Sequence, residues 1–175
     1  MVRNNFKNKF KGAIDILKIF NQNGYEAYFV GGCVRDYLLG EDFSDIDITT
    51  NALPDEVKKV FRKSIDTGIQ HGTVTILVNG DSYEVTTFRT EEDYTNHRSP
   101  EKVEFVSNLR EDLDRRDFTI NAMALDYNGK LFDYHNGDQD LNSKIIRTVN
   151  NPNERFYEDA LRMLRAFRFS SKLGF

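Results

Sequence analysis

Two aspartates one residue apart, Asp45 and Asp47, follow closely on the glycine pair Gly31-Gly32. If Ser44 to Ile48 form a strand, alternate side chains share a face and the two carboxylates lie side by side. Neighbouring carboxylates raise each other's pKa unless a cation lies between them. A hard dication such as Mg²⁺ binds oxygen ligands together with substrate phosphates. The pair therefore predicts a Mg²⁺ site, with a turn cap at Asp45 as the alternative.

The glycine pair lies between the apolar run Tyr28-Phe29-Val30 and a short predicted helix that ends at Gly40. Glycine lets a backbone approach a ligand closely, and a helix start offers free N–H groups and positive potential to an anion. A tight turn is the alternative for the glycines alone. Together with the aspartates downstream, they predict chemistry on a nucleoside triphosphate.

Size and composition limit the classes of protein. A chain of 175 residues with 39% hydrophobic residues builds one domain, or one domain and the start of another. The net charge of −4 argues against a surface that coats nucleic acid generally, but not against a local basic patch. The single cysteine, Cys33, excludes an internal disulfide and is interpreted as a packing residue. Without a recognisable leader or a long apolar stretch, the sequence predicts a cytoplasmic protein with no membrane partner.

Hydrophobic periodicity predicts an α+β fold, in which helices flank a small mixed, mainly antiparallel sheet. Helices are predicted over residues 5–23, 34–39 and 54–63, and strands over residues 25–30, 46–49, 73–78, 82–88, 122–126 and 131–133. Asn79-Gly80-Asp81 and Asn128-Gly129 are hairpin signals between neighbouring strands. The polar residues 91–103 lack periodicity and predict a mobile loop.

The last segment is predicted to be a helix with arginines on one side. Asn151 is its expected N-cap, Pro152 its first residue, and Glu154 fits a capping box. Spacings of three or four residues place five polar residues on one side of this helix: Arg155, Asp159, Arg162, Arg165 and Arg168. Three apolar residues lie on another side: Leu161, Leu164 and Phe167. A solvated charged stripe is the alternative, although arginine favours planar bidentate contacts. The uncovered apolar side predicts that the chain is part of a longer protein.

Five ordered motifs carry a resemblance to a known family. They are Gly31-Gly32-x-Val34-Arg35-Asp36 through Asp45-x-Asp47, Glu84-Val85-Thr86-Thr87-Phe88-Arg89, Arg115-Arg116-Asp117-Phe118-Thr119-x-Asn121-Ala122, Asp133-x-x-x-Gly137, and Glu158-Asp159-x-x-Arg162 running on into Arg165-Ala166-x-Arg168-Phe169. In these motifs the chain from about Gly24 resembles the N-terminal part of bacterial CCA-adding enzymes (tRNA nucleotidyltransferases) and the related poly(A) polymerases. The resemblance implies a polymerase-β-like nucleotidyltransferase head over residues 1–147 and the first helix of a helical neck over residues 148–175.

The resemblance also implies roles for individual residues. Asp45 and Asp47 would bind catalytic Mg²⁺, and Glu84 would be the third catalytic carboxylate, which helps to activate the attacking hydroxyl. The implied nucleotide-binding residues are Gly31, Gly32, Arg35, Arg116, Asp159, Arg162, Arg165 and Arg168. Asp159 and Arg162 would read the base, since aspartate accepts from an exocyclic amine and arginine donates to a ring nitrogen or carbonyl. A surface ion pair between these two residues is the alternative.

The implied activity is the addition of CCA to the 3′ end of tRNA from CTP and ATP by two-metal transfer. An A-adding enzyme or a poly(A) polymerase is the alternative within the family. A full-length segment 91–105 argues against a CC-adding enzyme, although Thr95-Asn96-His97-Arg98 is less acidic than the family's pattern. An inactive nucleotide- and metal-binding fragment that lacks the tRNA-binding body and tail is the alternative from another class. A nucleotidyltransferase for small molecules would leave the arginines of the last helix without a role.

Overall fold

The computed structural model describes residues 5–95 and 99–175, and describes side chains outside residues 92–102. Within these residues the helices are α1 (Phe6–Lys9), α2 (Ala13–Gln22), α3 (Gly32–Leu39), α4 (Pro54–Val60), α5 (Leu109–Asp114), α6 (Gly137–Asn142), α7 (Pro152–Glu158) and α8 (Leu161–Leu173). The strands are β1 (Ala27–Val30), β2 (Asp47–Thr50), β3 (Ser64–Gly68), β4 (Thr73–Val78), β5 (Asp81–Thr87), β6 (Arg89–Thr95), β7 (Ser99–Phe105), β8 (Met123–Leu125) and β9 (Leu131–Asp133).

Seven of these strands form one sheet in the order β3-β4-β5-β2-β1-β8-β9. The neighbouring strands β2 and β5 run parallel. The other neighbouring pairs of this sheet are antiparallel. The predicted α+β fold with a mixed, mainly antiparallel sheet flanked by helices is therefore confirmed. Because β2 and β5 lie side by side, two strands that are distant in the sequence bring their polar residues to the same place.

Both predicted hairpins are present. Asn79 and Gly80 have φ angles of 55° and 96°, as a type I′ turn requires, and they connect β4 to β5. The second turn, at Asn128-Gly129, connects β8 to β9. These turns fix the register of the strands on both sides of the sheet.

A cluster of aromatic and aliphatic side chains forms the core between the helices and the sheet. The ring of Phe10 is fully buried and stacks on Phe29 of β1 with a centroid distance of 4.4 Å. The single helix predicted over residues 5–23 is wrong in one respect. The chain breaks between α1 and α2 at Gly12, whose φ of +90° is not helical. The break lets Phe10 and the buried face of α2 both reach the core.

The segment predicted as an irregular loop is a two-stranded antiparallel ribbon. Strands β6 and β7 pair from Arg89 with Phe105 to Thr95 with Ser99. Residues 96–98 lie outside the described residues. They include three of the four residues, Thr95 to Arg98, that are less acidic than the family's pattern. The ribbon is a separate sheet and adds no strand to the seven-stranded one. Backbone hydrogen bonds, which sequence periodicity does not report, form the pairing.

The continuous helix predicted over the C-terminal segment is also wrong. Asn151 caps α7 as expected, its side chain accepting from the N–H of Asn153. The helix then stops at Glu158, and Asp159 has an extended backbone with φ −137° and ψ 104°. The Asp159 carboxylate accepts from the N–H of Leu161 at 2.9 Å and so caps the start of α8. The turn at Asp159 changes the direction of the chain within the predicted neck.

The predicted boundary between residues 147 and 148 stays a prediction. Around it, the N–H of Thr119 donates to the carbonyl of Arg147, and the N–H of Val149 donates to that of Asp117. The chain is thus held to the body of the fold on both sides of the boundary. Among the described residues, no helix is long and apolar enough to cross a membrane.

Candidate active site

Three carboxylates meet where β2 begins. Asp47 is the first residue of β2 and lies in register with Glu84 on the parallel neighbour β5. Residues in register on adjacent strands point to the same face of a sheet. Asp45 precedes the strand, so the expectation that both aspartates alternate along one strand is wrong. The loop before β2, rather than strand alternation, brings Asp45 to the other two carboxylates.

All three carboxylates line a cavity of about 650 Å³, called here the carboxylate cavity. The pKa of Asp47 is raised. Withdrawal of solvent by the surrounding protein is the largest cause, the charges of Glu84 and Asp45 add to it, and Arg116 opposes it. Burial and the neighbouring carboxylates therefore oppose the ionised form of Asp47, and a divalent cation would favour it.

The groups of this site that could bind a metal ion are a pair of carboxylates. In the described part of the chain, no group of three or more histidine, cysteine, aspartate or glutamate side chains is placed to hold a metal ion together. Mg²⁺ typically takes only one or two carboxylates from the protein and completes its shell with waters and substrate phosphates. The oxygen-only donors Asp45 and Asp47 fit this incomplete type of site.

The glycine pair allows a close approach at the start of α3. Gly31 has φ 72° and ψ −133°, a conformation that residues with a side chain rarely adopt. A Cβ atom at Gly31 would lie 3.6 Å from Arg116 Nη1 and 3.7 Å from Asp47 Oδ2. The absence of a side chain at this position leaves room between a cationic and an anionic group of the site.

A second cavity of about 500 Å³, called here the arginine cavity, lies on the other side of Asp47. Nine of the eleven predicted site residues line it: Gly31, Gly32, Arg35, Asp47, Arg116, Asp159, Arg162, Arg165 and Arg168. The remaining two, Asp45 and Glu84, line the carboxylate cavity, and Asp47 lines both. The structure thus brings together residues that are far apart in the sequence. They lie at α3, at β2, in the connection from α5 to β8, and at α8.

The guanidinium of Arg35 is held beneath the arginine cavity. Only 3% of this residue is exposed. It donates to both carboxylate oxygens of Asp36, at 2.7 and 3.0 Å, and to Oδ1 of Asn121 at 2.7 Å. Its guanidinium also lies over the ring of Phe169, 5.1 Å from the centroid. These contacts fix Arg35 as a charged floor of the cavity, and a direct contact with triphosphate stays a prediction.

Helix α8 is attached to the rest of the site through the same network. Arg165 Nε donates to Asp117 Oδ2 at 2.6 Å, and Asp117 Oδ1 accepts from the side-chain amide of Asn121 at 3.3 Å. The ring of Phe169 lies close to two guanidinium groups, with 5.1 Å from its centroid to that of Arg35 and 5.3 Å to that of Arg165. Cation–π contacts of this kind are strongest where water is excluded. Arg165 is therefore held by Asp117 and packs on Phe169, and Arg168, which is exposed, adds a further cation to the cavity.

The predicted base-reading pair lies at the start of α8. Arg162 is buried, and its Nη1 donates to the carbonyl of Arg155 at 3.1 Å and to Glu158 at 2.7 Å. Asp159 is half-buried and uses Oδ1 to cap α8. Both side chains line the arginine cavity and are held by these hydrogen bonds. The base-reading role itself stays a prediction.

A buried carboxylate that sequence reasoning missed organises the arginines. Asp112 of α5 is fully buried and accepts from Arg115 Nε at 3.0 Å, Arg116 Nη2 at 3.1 Å and the Thr49 hydroxyl at 3.2 Å. Burial alone would raise the pKa of Asp112, but Arg115 and Arg116 together lower it. Two arginines three and four residues after an aspartate were the available sequence signal. Through Asp112, the strand that carries Asp47 is connected to Arg116.

Neither cavity is lined by a histidine from the described residues. Cys33 is buried, and burial raises the pKa of its thiol to about 12, which agrees with its interpretation as a packing residue. The polar groups of the site are therefore carboxylates, amides and guanidinium groups. This set suits binding and transfer of a charged phosphoryl group better than nucleophilic catalysis by a side chain.

Comparison with known proteins gives consistent matches. The family model of the poly(A) polymerase head domain matches residues 27–147. The CCA-adding enzyme of Ligilactobacillus salivarius (strain UCC118) is 55% identical over 175 residues, which are all of this chain and 43% of that enzyme. The chain thus spans less than half the length of this curated relative.

Two solved structures are similar over most of the chain. The Bacillus stearothermophilus CCA-adding enzyme in complex with CTP matches with a TM-score of 0.88 and 50% identity, over 95% of this chain and 40% of that one. A tRNA nucleotidyltransferase complexed with a primer tRNA and an incoming ATP analog matches with a TM-score of 0.72 and 37% identity, over 90% of this chain and 45% of that one.

Proposed function

The chain belongs to the poly(A) polymerase head domain family, and we propose that it is the catalytic head of a template-independent nucleotidyltransferase that adds CCA to the 3′ end of tRNA from CTP and ATP. One observation carries this proposal. A cavity rich in arginine and a cavity rich in carboxylates meet at one residue, Asp47. Two substrates that react with each other need such a shared border.

The arginine cavity would bind the nucleoside triphosphate. Arg116, Arg165 and Arg168 supply positive charge to a ligand with several negative charges. The start of α3, an eight-residue helix, adds backbone N–H groups beside Gly31. The similar structures with bound CTP and with an ATP analog support this assignment of the ligand.

The reaction is a displacement at the α-phosphate. The 3′-oxygen of the RNA forms a bond to the α-phosphorus, the bond from that phosphorus to the α–β bridging oxygen breaks, and pyrophosphate leaves. The proton of the 3′-hydroxyl passes to Glu84 or to solvent beside it. Asp45 and Asp47 would hold Mg²⁺. When bound, it lowers the pKa of the hydroxyl and neutralises charge on the leaving group.

Base selection would come from Asp159 and Arg162. An acceptor beside a donor matches the edge that cytosine and adenine share, an exocyclic amine next to a ring nitrogen. Uracil and guanine present a carbonyl where the amine would be, which leaves the Asp159 carboxylate facing an acceptor. An unmatched buried polar group costs more than a matched one gains, so this arrangement discriminates between bases.

Replacing Asp159 by alanine is expected to relax base selection. The ratio of the dissociation constants for UTP and CTP should fall by about tenfold or more, because a hydrogen bond to a charged group is worth about 1.5–3 kcal/mol. The CTP affinity itself should fall less, because the arginines still bind the triphosphate. Calorimetric titration of this chain with each of the four triphosphates and Mg²⁺ measures both effects.

Asp159→Asn is the matched control, since asparagine caps a helix about as well as aspartate. It should keep the cap at Leu161 and still lose selectivity for cytosine and adenine. If Asp159→Asn keeps the selectivity of the unmodified chain, Asp159 only caps α8 and the base-reading role is wrong.

The alternatives remain distinguishable by the substrates used. An A-adding enzyme or a poly(A) polymerase would incorporate ATP alone, and an RNA primer that is not tRNA would serve the latter. A chain that binds nucleotide and metal without transfer would be a fragment that depends on the part of the relatives beyond the matched 43%.

A further inference from the structure

We propose that Lys9, the last residue of α1, is a positioning residue for Asp45. Lys9 acts by holding the segment 41–46, which carries Asp45, against the body of the fold. This inference rests on the proposed function, since it takes Asp45 as a ligand of the metal ion. The five motifs of the family resemblance contain no residue of α1, so they assign no role to Lys9.

The segment 41–46 has little support of its own. It connects α3 to β2, and its residues belong to no helix or strand of the described chain. The N–H of Glu41 donates to the carbonyl of Asp36 at 2.9 Å, which attaches the beginning of the segment to α3. Asp45 is exposed, and none of the described residues donates a hydrogen bond to its carboxylate. The position of Asp45 is therefore set by the groups that hold the segment.

Lys9 holds the segment from the side of α1. Its Nζ is in contact with the carboxylate of Asp42 and donates to the carbonyl of Glu41 at 3.5 Å. The Lys9 side chain is only 26% exposed, so the surrounding protein restricts its freedom. One ammonium group therefore binds both the backbone and a side chain where the segment begins.

Aromatic packing supports the same segment. Phe43 is half-buried and packs on Phe10, which follows α1, with a centroid distance of 5.0 Å. Phe10 is fully buried and stacks on Phe29 of β1 at 4.4 Å. On the other side of Asp45, Ile46 packs against the same core cluster. Asp45 therefore lies between two points of attachment, and the earlier one comes from α1 and the residue after it.

The charge of Lys9 would act on a metal ion in the opposite direction to its anchoring contacts. Lys9 lines the carboxylate cavity together with Asp45, Asp47 and Glu84. A cation in this cavity repels a divalent cation, so by charge alone the loss of Lys9 would strengthen metal binding. Loss of an anchor instead frees the segment, which the metal ion must then order on binding, and this weakens binding. The sign of the change in metal affinity therefore distinguishes positioning from charge.

Lys9→Gln is expected to weaken the binding of Mn²⁺ to this chain. Mn²⁺ is the probe because it takes the same carboxylate and water ligands as Mg²⁺, and electron paramagnetic resonance measures the free ion. We expect the dissociation constant to rise by about fivefold or more, which is the cost of ordering one additional residue on binding. Lys9→Arg keeps the charge and the donors, and it should bind Mn²⁺ as the unmodified chain does.

Lys18→Gln is the matched control. Lys18 donates to Asp15 at 3.0 Å, but this exposed pair lies within α2, and Lys18 does not line the carboxylate cavity. Its Mn²⁺ affinity should equal that of the unmodified chain. Because exposed ion pairs add little to global stability, both glutamine variants should keep the Tm of the unmodified chain. Hydrogen exchange in peptides that cover residues 41–46 should become faster in Lys9→Gln alone.

Different results overturn different conclusions. Mn²⁺ binding by Lys9→Gln that is as tight as that of the unmodified chain, or tighter, would overturn the positioning role while the proposed function stands. Unchanged hydrogen exchange in residues 41–46 would overturn it too. If Asp47→Asn binds Mn²⁺ as tightly as the unmodified chain, or if the unmodified chain binds no Mn²⁺, the metal site of the proposed function is wrong, and this inference with it.

Discussion

Replacing Asp47 by asparagine is expected to reduce nucleotidyl transfer at least about 10³-fold without lowering the free energy of unfolding. Metal ions supply several kcal/mol of transition-state stabilisation, and each tenfold in rate corresponds to about 1.36 kcal/mol. The loss of the proposed metal ligand at the border of both cavities should therefore remove about 4 kcal/mol or more of transition-state stabilisation. Single-turnover rates with saturating CTP and Mg²⁺ measure this loss.

Stability should respond in the opposite sense to activity. The pKa of Asp47 is raised in the folded state, so its favourable contribution is complete below the unfolded pKa and is lost as pH rises through the folded pKa. At neutral pH the ionised carboxylate is therefore unfavourable to folding, and its neutral replacement should leave stability unchanged or slightly higher. Thermal unfolding at pH 7 measures this second effect.

Asp81→Asn is the matched control for Asp47, because Asp81 is an exposed aspartate that lines the same cavity at the start of β5. It should retain transfer. Transfer by Asp47→Asn at a rate close to that of the unmodified chain would refute the catalytic assignment. An equal loss of transfer in Asp47→Asn and Asp81→Asn would show that transfer depends on the total charge of the cavity and not on Asp47 in particular.

Replacing Asp112 by asparagine is expected to lower the free energy of unfolding by about 3–5 kcal/mol at neutral pH. The carboxylate is fully buried and accepts hydrogen bonds from Arg115, Arg116 and Thr49. Removing one partner of a buried ion pair leaves the other charge without compensation, which is the costly case. The same change should weaken nucleotide binding, because it releases Arg116 from its position in the arginine cavity.

The effect of Asp112 should depend on pH in a defined direction. Its pKa is lowered in the folded state, so its stabilising contribution is present above the unfolded pKa of about 3.9 and is lost as pH falls through the folded pKa. Urea unfolding of both proteins should give a constant difference at neutral pH that shrinks only in strong acid. Glu111→Gln, an exposed change on the same helix, should show neither effect. A difference below about 1 kcal/mol at pH 7 would contradict the structural role of Asp112.

Much of the site could be predicted from the sequence because its residues stand in short motifs. Gly31-Gly32, Asp45-x-Asp47 and the run from Asp159 to Arg168 each carry their chemistry within a few residues. The structure brings these predicted residues to two adjoining cavities. Spacing alone could not predict that Glu84 lies beside Asp47. The two residues meet because β2 pairs in parallel with β5, and two other strands separate β2 from β5 in the sequence.

The features that the sequence did not predict are those set by tertiary contacts. The periodicity of residues 5–23 continues across Gly12, and that of the last segment continues across Asp159, although both helices break there. The break at Gly12 accompanies a tertiary contact, its approach to the Tyr83 hydroxyl, whereas the break at Asp159 accompanies a local one, the hydrogen bond from the Leu161 N–H to the Asp159 carboxylate. Asp112 was missed for a related reason, because a charged residue in a polar-looking helix gives no sign of its burial.

Incorporation of labelled CTP and ATP, each alone and both together, with Mg²⁺ tests directly whether this chain transfers nucleotides to tRNA. The substrates are tRNA transcripts that end before the CCA sequence, after its first C, and after its second C. We expect addition of C to the first two transcripts and of A to the third, with loss of all transfer in Asp47→Asn. Mg²⁺-dependent binding of CTP with no transfer to any transcript would contradict the claim that this chain carries the catalytic head in working form.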